Sequence, residues 1–179
     1  MSQVKLQGNA SGSGSVTIAS PNTNSAYTIT LPTLTGTFLT TASAGTVLQV
    51  VSANLTATQI STTSTSFVTT NFSASITPSS ATSKVYVVFM GENLNTNGAY
   101  YGMQTLYRNS TNLGGSEGMV QNNNNSAWLP FTISYVDSPA TTSSTTYAIY
   151  QRTSNAGNTV YVGWGTNAIH TFVLMEIAA

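Results

Sequence analysis

The chain has no cysteine, which excludes disulfides and thiolate metal sites and leaves its redox compartment unspecified. Charge is nearly absent too. Asp, Glu, Lys and Arg make up 4% of its 179 residues, against about 25% in ordinary globular domains. Four acids balance four bases, so the net charge is zero. The scattered cations Lys5, Lys84, Arg108 and Arg152 cannot form the basic stripe that nucleic acid requires, and a neutral chain is not drawn to an anionic membrane. Helix-forming Glu, Lys, Gln and Arg are few, and no segment sustains apolar residues at i, i+3, i+4 and i+7. No stretch approaches the ~20 apolar residues of a membrane span. Met1-Ser2-Gln3-Val4-Lys5 is not followed by an apolar signal-peptide core, so secretion by the usual route is not expected and release by cell lysis stays open.

What replaces charge is hydroxyl and amide: Ser, Thr and Asn account for 72 of 179 residues by direct count. Hydrophobic residues make up 40%, enough for a core. Disorder by composition couples low hydrophobicity to high net charge, and a neutral chain departs from that pattern. The length suits one domain, or one domain with an extended arm. Short runs rich in Val, Ile, Thr, Tyr and Phe, separated by Gly, Asn, Pro and Ser, mark an all-β chain.

Residues 1–45 read as an extended arm. GNASGSGS (8–15) is a flexible lead-in, followed by short extended pieces at 16–19, 27–31 and 37–41, with Pro21 and Pro32 between them. In Tyr27-Thr28-Ile29-Thr30-Leu31, apolar residues alternate with Thr, as one buried face requires. Three short strands make no core of their own, so the arm is expected to pack on another copy, on its own body or on a larger assembly. Residues 46–179 read as a head domain, with strands expected near 46–52, 56–61, 67–76, 84–91, 99–108, 118–121, 127–137, 145–153, 159–164 and 168–177. Arg108-Asn109-Ser110-Thr111 reads as a hairpin turn, and GENLNTNG (91–98), QNNNN (121–125) and PATTSS (139–144) read as polar loops. The runs 85–90 and 172–175 are apolar on both faces. One face belongs in an inter-sheet core, and the other calls for a neighbour, most naturally a subunit. Eight or more strands at this spacing indicate a β-sandwich of the jelly-roll kind.

Chemistry is sparsely provided for. The one histidine, His170, alternates with Phe172 and Leu174 and is expected to be buried, packed or hydrogen-bonded; a metal would need further ligands, and none is near in sequence. The acids are Glu92, Glu117, Asp137 and Glu176, and a glycosidase would need two of them across a cleft. Glu176 lies in an apolar strand and is expected to be paired, with Lys84, Arg108 and Arg152 as candidate partners. Gly12-Ser13-Gly14 belongs to the lead-in and is no nucleophile elbow, and phosphate-cradling motifs are missing. Asn-x-Ser/Thr triplets such as those at Asn9, Asn54, Asn71 and Asn109 are what chance supplies in such a composition. Tyr100, Tyr101, Trp128 and Trp164 border polar loops. With Asn123 and Asn124, the first three could contact a glycan by stacking and amide bonding, although such rings more often fill a core or a subunit interface. No catalytic residue, metal or cofactor is expected.

The order of several short segments resembles bacteriophage tail-fibre and other virion-surface proteins. In the arm these are Gly14-Ser15-Val16-Thr17-Ile18, Pro21, Tyr27 to Pro32, Thr35-Gly36-Thr37 and Thr40-Thr41. In the head they are Thr62 to Val68, Ile76 to Ser80, Ser83-Lys84-Val85, Leu106 to Asn109 and Met175-Glu176-Ile177. The resemblance covers most of the chain. It implies a non-enzymatic, homotrimeric virion protein with a jelly-roll or TNF-like head, whose partners are its own copies and a major capsid protein or tail component. A shaft of at most 45 residues spans roughly 150 Å at ~3.3 Å per residue, which fits a capsid decoration, a cement protein or a short head fibre on the particle exterior better than a long tail fibre. A receptor-binding module adhering to host-surface glycan is the alternative.

Overall fold

The computed structural model describes Ser11 and residues 44–56, 59–163 and 169–179. The expected arm therefore lies outside the described residues except for Ser11, Ala44 and Gly45, and so does Trp164. The chain divides into two units, Met1–Thr37 and Phe38–Ala179, and the second is described here.

Its strands are β1 (Val47–Thr56), β2 (Ile60–Thr62), β3 (Val68–Ile76), β4 (Lys84–Asn95), β5 (Gly102–Arg108), β6 (Thr111–Asn112), β7 (Val120–Asn122), β8 (Leu129–Asp137), β9 (Thr145–Thr153), β10 (Val160–Val162) and β11 (Ile169–Ile177). Among the described residues there is no helix. All pairings are antiparallel, in a six-stranded and a five-stranded sheet. Interrupted strands reduce both to four positions. β11 and β10 pair successive stretches of one edge of β4, while β8 pairs the other edge. β1 and β2 in turn pair β11 and β10. The first sheet thus runs β1/β2, β11/β10, β4, β8. The second runs β3, β9, β5, then β6 and β7 along one edge of β5. The chain crosses between sheets after β2, β3, β4, β7, β8 and β9.

Period-two alternation explains the sandwich. On β4, Val85, Val87 and Phe89 are buried while Lys84 and Met90 are exposed. On β9, Tyr147, Ile149 and Gln151 are buried, and on β11 so are Phe172, Leu174 and Glu176. All of these inward residues except Gln151 and Glu176 meet Phe72, Ile76, Leu106, Phe131 and Ile133 in one core. Phe89 is its hub, with ring centroids 5.0 Å from Phe172, 5.6 Å from Phe131 and 5.7 Å from Phe72. Its ring folds over Gly91: a Cβ there would sit 2.7 Å from Phe89 Cε1, so only glycine fits. β3 carries a register shift between Thr69 and Ser73, with Asn71 at φ 60°, a left-handed conformation that Asn tolerates better than most residues.

Three boundaries differ from expectation. β4 runs through most of GENLNTNG, ending at Asn95 rather than near Gly91. Its polar sequence read as loop, yet Asn93 and Asn95 are fully buried in a layer of amides. β1 continues to Thr56, where two strands were expected to part, and β2 begins only at Ile60. β5 begins at Gly102, because Asn97, Gly98 and Ala99 turn by way of Asn97 Oδ1 accepting from Ala99 N.

Candidate functional site

The outer face of the first sheet is the most distinctive surface of the head. Cross-strand register sets Val50, Met175, Tyr86 and Val136 in one row spanning all four strands. The next row is Ser52, Val173, Val88 and Ser134, and the third is Asn54, Thr171, Met90 and Thr132. Val50 and Met90 are each 56% exposed, and Val136 is 53% exposed. The polar groups here largely bond one another: Tyr86 Oη with Ser134 Oγ at 2.9 Å, and Thr171 Oγ1 to Asn54 Oδ1 at 3.3 Å. These are the second faces of the doubly apolar runs 85–90 and 172–175.

The face continues toward the loops expected to recognise glycan. Tyr161 pairs with Leu94 and Ser61 in register, and Trp128 lies 6.3 Å from it, ring to ring. Trp128 is half-buried in this contact. Tyr101 is 46% exposed and Tyr100 half-buried. Asn123 is exposed, but the Asn124 side chain is occupied: its Oδ1 accepts from Asn95 N at 2.8 Å and its Nδ2 donates to Asn93 O and Ala127 O. Asn95 Nδ2 in turn donates to Tyr100 O and Asn122 O. The Asn run thus fastens the loops to the end of β4, leaving Tyr101 and Asn123 as the more open groups of the five.

Beneath these loops lies a polar interior. Asn93, Asn95, Gln104, Gln151, Thr153 and Asn158 are fully buried. Asn93 Nδ2 donates to Gln104 Oε1 at 3.0 Å, Gln151 Nε2 to Ile60 O at 3.0 Å, and Asn158 Nδ2 to Thr153 Oγ1 at 2.9 Å. Among the described residues, Gln104 Nε2, Asn122 Oδ1 and Gln151 Oε1 have no hydrogen-bond partner. The sequence offered one missed signal: Gln104 and Gln151 stand at core-facing positions of otherwise apolar alternations.

The carboxylates do not converge on a cleft. Asp137 accepts from Arg108 Nη1 at 2.8 and 3.0 Å and from the Tyr147 hydroxyl at 2.7 Å. This joins β8 of one sheet to β5 and β9 of the other. Burial, and then the bond to Asp137, push the Tyr147 hydroxyl pKa far up. Glu117 lies 3.5 Å from Arg152 at the surface.

Glu176 corrects an expectation. It is fully buried, yet none of Lys84, Arg108 and Arg152 pairs with it. Lys84 pairs with Ile177, one register position along, and so projects from the opposite face of the sheet. Glu176 instead accepts from Gln49 Nε2 at 2.6 Å, Ser79 N at 2.7 Å and Ser79 Oγ at 2.8 Å. Burial alone would raise its carboxyl pKa, but these hydrogen bonds, together with the Ser83 side chain, outweigh it and hold the pKa at about 2.

His170 is buried, edge-on to Phe72 at 4.8 Å and stacked on Phe89 at 6.5 Å. Among the described residues, neither ring nitrogen has a hydrogen-bond partner. Burial lowers its pKa, opposed by nearby Glu92. Among the described residues, no group of three or more His, Cys, Asp or Glu side chains could hold a metal ion.

No family model matches the chain, and no curated protein sequence matches it. Among solved structures, it is similar to one titled "Crystal structure of infectious bursal disease virus VP2 subviral particle". The identity is 18% and the TM-score 0.31, over 73% of this chain and 38% of that one. This chain therefore matches well under half the length of that protein, and a likeness of this size carries no argument about function.

Proposed function

We propose that this chain is a non-enzymatic structural protein of the bacteriophage particle exterior, a homotrimeric capsid decoration, cement or short head-fibre protein with a jelly-roll head. The observation that carries the structural reading is the apolar row Val50, Met175, Tyr86 and Val136 across the outer face of the first sheet. A β-sandwich that leaves such a row bare on an otherwise neutral, hydroxyl-rich surface is suited to burying it against protein. Its action would be burial of area and hydrogen bonding, without a chemical step. The non-catalytic reading draws support from the carboxylates: Asp137, Glu117 and Glu176 are each engaged by a structural partner. The strand order β1, β11, β4, β8 facing β3, β9, β5, β7, with repeated crossings between sheets, supports the jelly roll. Phage origin, trimeric state and exterior position rest on the sequence resemblance.

The host-attachment alternative keeps less support, because Asn124 and Trp128 are engaged within the head. Particles assembled without this protein provide the test. The expected result is a changed outer profile in electron micrographs and earlier disruption on heating; particles identical to wild type in both respects would overturn the proposal.

A further inference from the structure

Two charged residues of the head stand apart from the rest. Arg108 is paired with Asp137 at 2.8 Å and Arg152 with Glu117 at 3.5 Å, while Glu176 is held by Gln49 and Ser79. The other charged side chains among the described residues are Lys84 and Glu92, and neither belongs to an ion pair. Both project from the outer face of β4, where the inward positions are Val85, Val87, Phe89, Gly91 and Asn93. They stand at opposite ends of that face, with Tyr86, Val88 and Met90 between them. Eight residues of extended strand separate them by about 26 Å at ~3.3 Å per residue, so they cannot pair within one chain.

We propose that this face packs against a second copy of the chain, with the Lys84 end of one copy set against the Glu92 end of the next. The inference rests on the self-association proposed above and names its surface and polarity. A face with an apolar middle and one charge of each sign at its ends is complementary to itself only when unlike ends meet. A two-fold pairing with antiparallel strands achieves this over the whole face, and a closed ring achieves it by setting the Lys84 half of the face against the Glu92 half of the next copy's. A parallel pairing would set Lys84 on Lys84. The available area is sufficient. Four strands ~4.8 Å apart and nine residues long offer on the order of 600 Å² of sheet per copy, or about 1,200 Å² for a pair, the lower bound of stable interfaces. Zero net charge removes long-range repulsion between copies.

Because the natural chain has no cysteine, introduced thiols report without interference. The full chain carrying Lys84→Cys and Glu92→Cys together is treated with a thiol cross-linker that spans about 10 Å, the spacing of packed sheets, and run on a denaturing gel, beside each single variant. Positions 84 and 92 of one chain stand about 26 Å apart, so a link within one chain is excluded. The expected result is covalently joined chains from the double variant and single chains from either variant alone. Lys84→Glu should weaken association about two- to five-fold, as an exposed pair allows, and adding Glu92→Lys should restore it. Met90→Glu should leave single chains at concentrations where the natural protein assembles. Native mass reads copy number separately. Two linked chains would retain the face and remove the trimer. Three chains that neither link nor respond to Met90→Glu would remove the face and retain the trimer. A single-chain mass for the natural protein would remove both.

Discussion

The sandwich is built on two different interiors, and β4 passes through both. From Val85 to Phe89 its inward side chains meet an apolar core of rings and branched aliphatics. From Asn93 to Asn95 they meet the side-chain amides of Gln104 and Asn124 and the backbone carbonyls of Tyr100 and Asn122. Gly91 marks the seam, covered by the Phe89 ring. The apolar end is held by non-directional burial, and the amide end by hydrogen bonds whose net worth is only about 0.5–1.5 kcal/mol each. Stability should therefore reside in the first, and loop placement in the second.

Truncating one residue from each end should separate the two interiors most widely. Phe89→Ala removes the hub of the aromatic cluster and should cost about 3–5 kcal/mol, measured as a lowered urea midpoint. Asn95→Ala, six residues along the same strand, leaves Asn97 N and two backbone carbonyls without their amide partner. It should cost about 1–3 kcal/mol. Hydrogen exchange should then rise around residues 95–101 and 122–127 while the β4–β11 ladder stays protected. Equal costs for the two variants, or uniform loss of protection after Asn95→Ala, would show that the two interiors are one cooperative unit.

The apolar end was legible in the sequence and the amide end was not, for a physical reason. Val85 to Met90 and Phe172 to Met175 announce themselves because buried strands are built from such residues. Asn93 and Asn95 carry the side chains of a loop, and only the partners that two other strands and two loops bring to them make burial tolerable. The same holds for Glu176. Its burial could be read from its apolar neighbours, but its partners Gln49 and Ser79 lie 127 and 97 residues away in sequence, and no local pattern points to them. The hairpin at Arg108 to Thr111 was legible because it is local: Arg108 and Thr111 pair across Asn109, at φ 52°, and Ser110.

Glu176 is a charge held at the apolar end by hydrogen bonds. Its carboxyl is lowered from 4.5 to about 2 on folding. It therefore contributes stability that is complete above pH 4.5 and is lost as pH falls from 4.5 toward 2. Gln49→Ala removes one of the donors that offset burial and should raise the folded-state pKa, moving acid unfolding to higher pH in circular dichroism. An unchanged acid midpoint would mean that Ser79 and Ser83 hold the carboxylate without Gln49.

The smallest effect is expected at the seam. His170 stands between Phe72 and Phe89 with its pKa lowered on folding from 6.5 by burial, against the opposing pull of Glu92. A lowered pKa means that the unfolded chain binds the proton more readily. The histidine thus contributes stability that is complete above pH 6.5 and is lost as pH falls below it toward the folded value. That window opens at pH 6.5, above the 4.5 at which the Glu176 loss begins, so the two onsets can be followed in one series of melting temperatures. His170→Leu keeps the apolar contact and removes the titration, and should flatten the melting temperature just below pH 6.5 while leaving the onset of the Glu176 loss in place. If the slope survives the substitution, the proton is taken up elsewhere, and the seam is as insensitive to pH as the apolar core beside it.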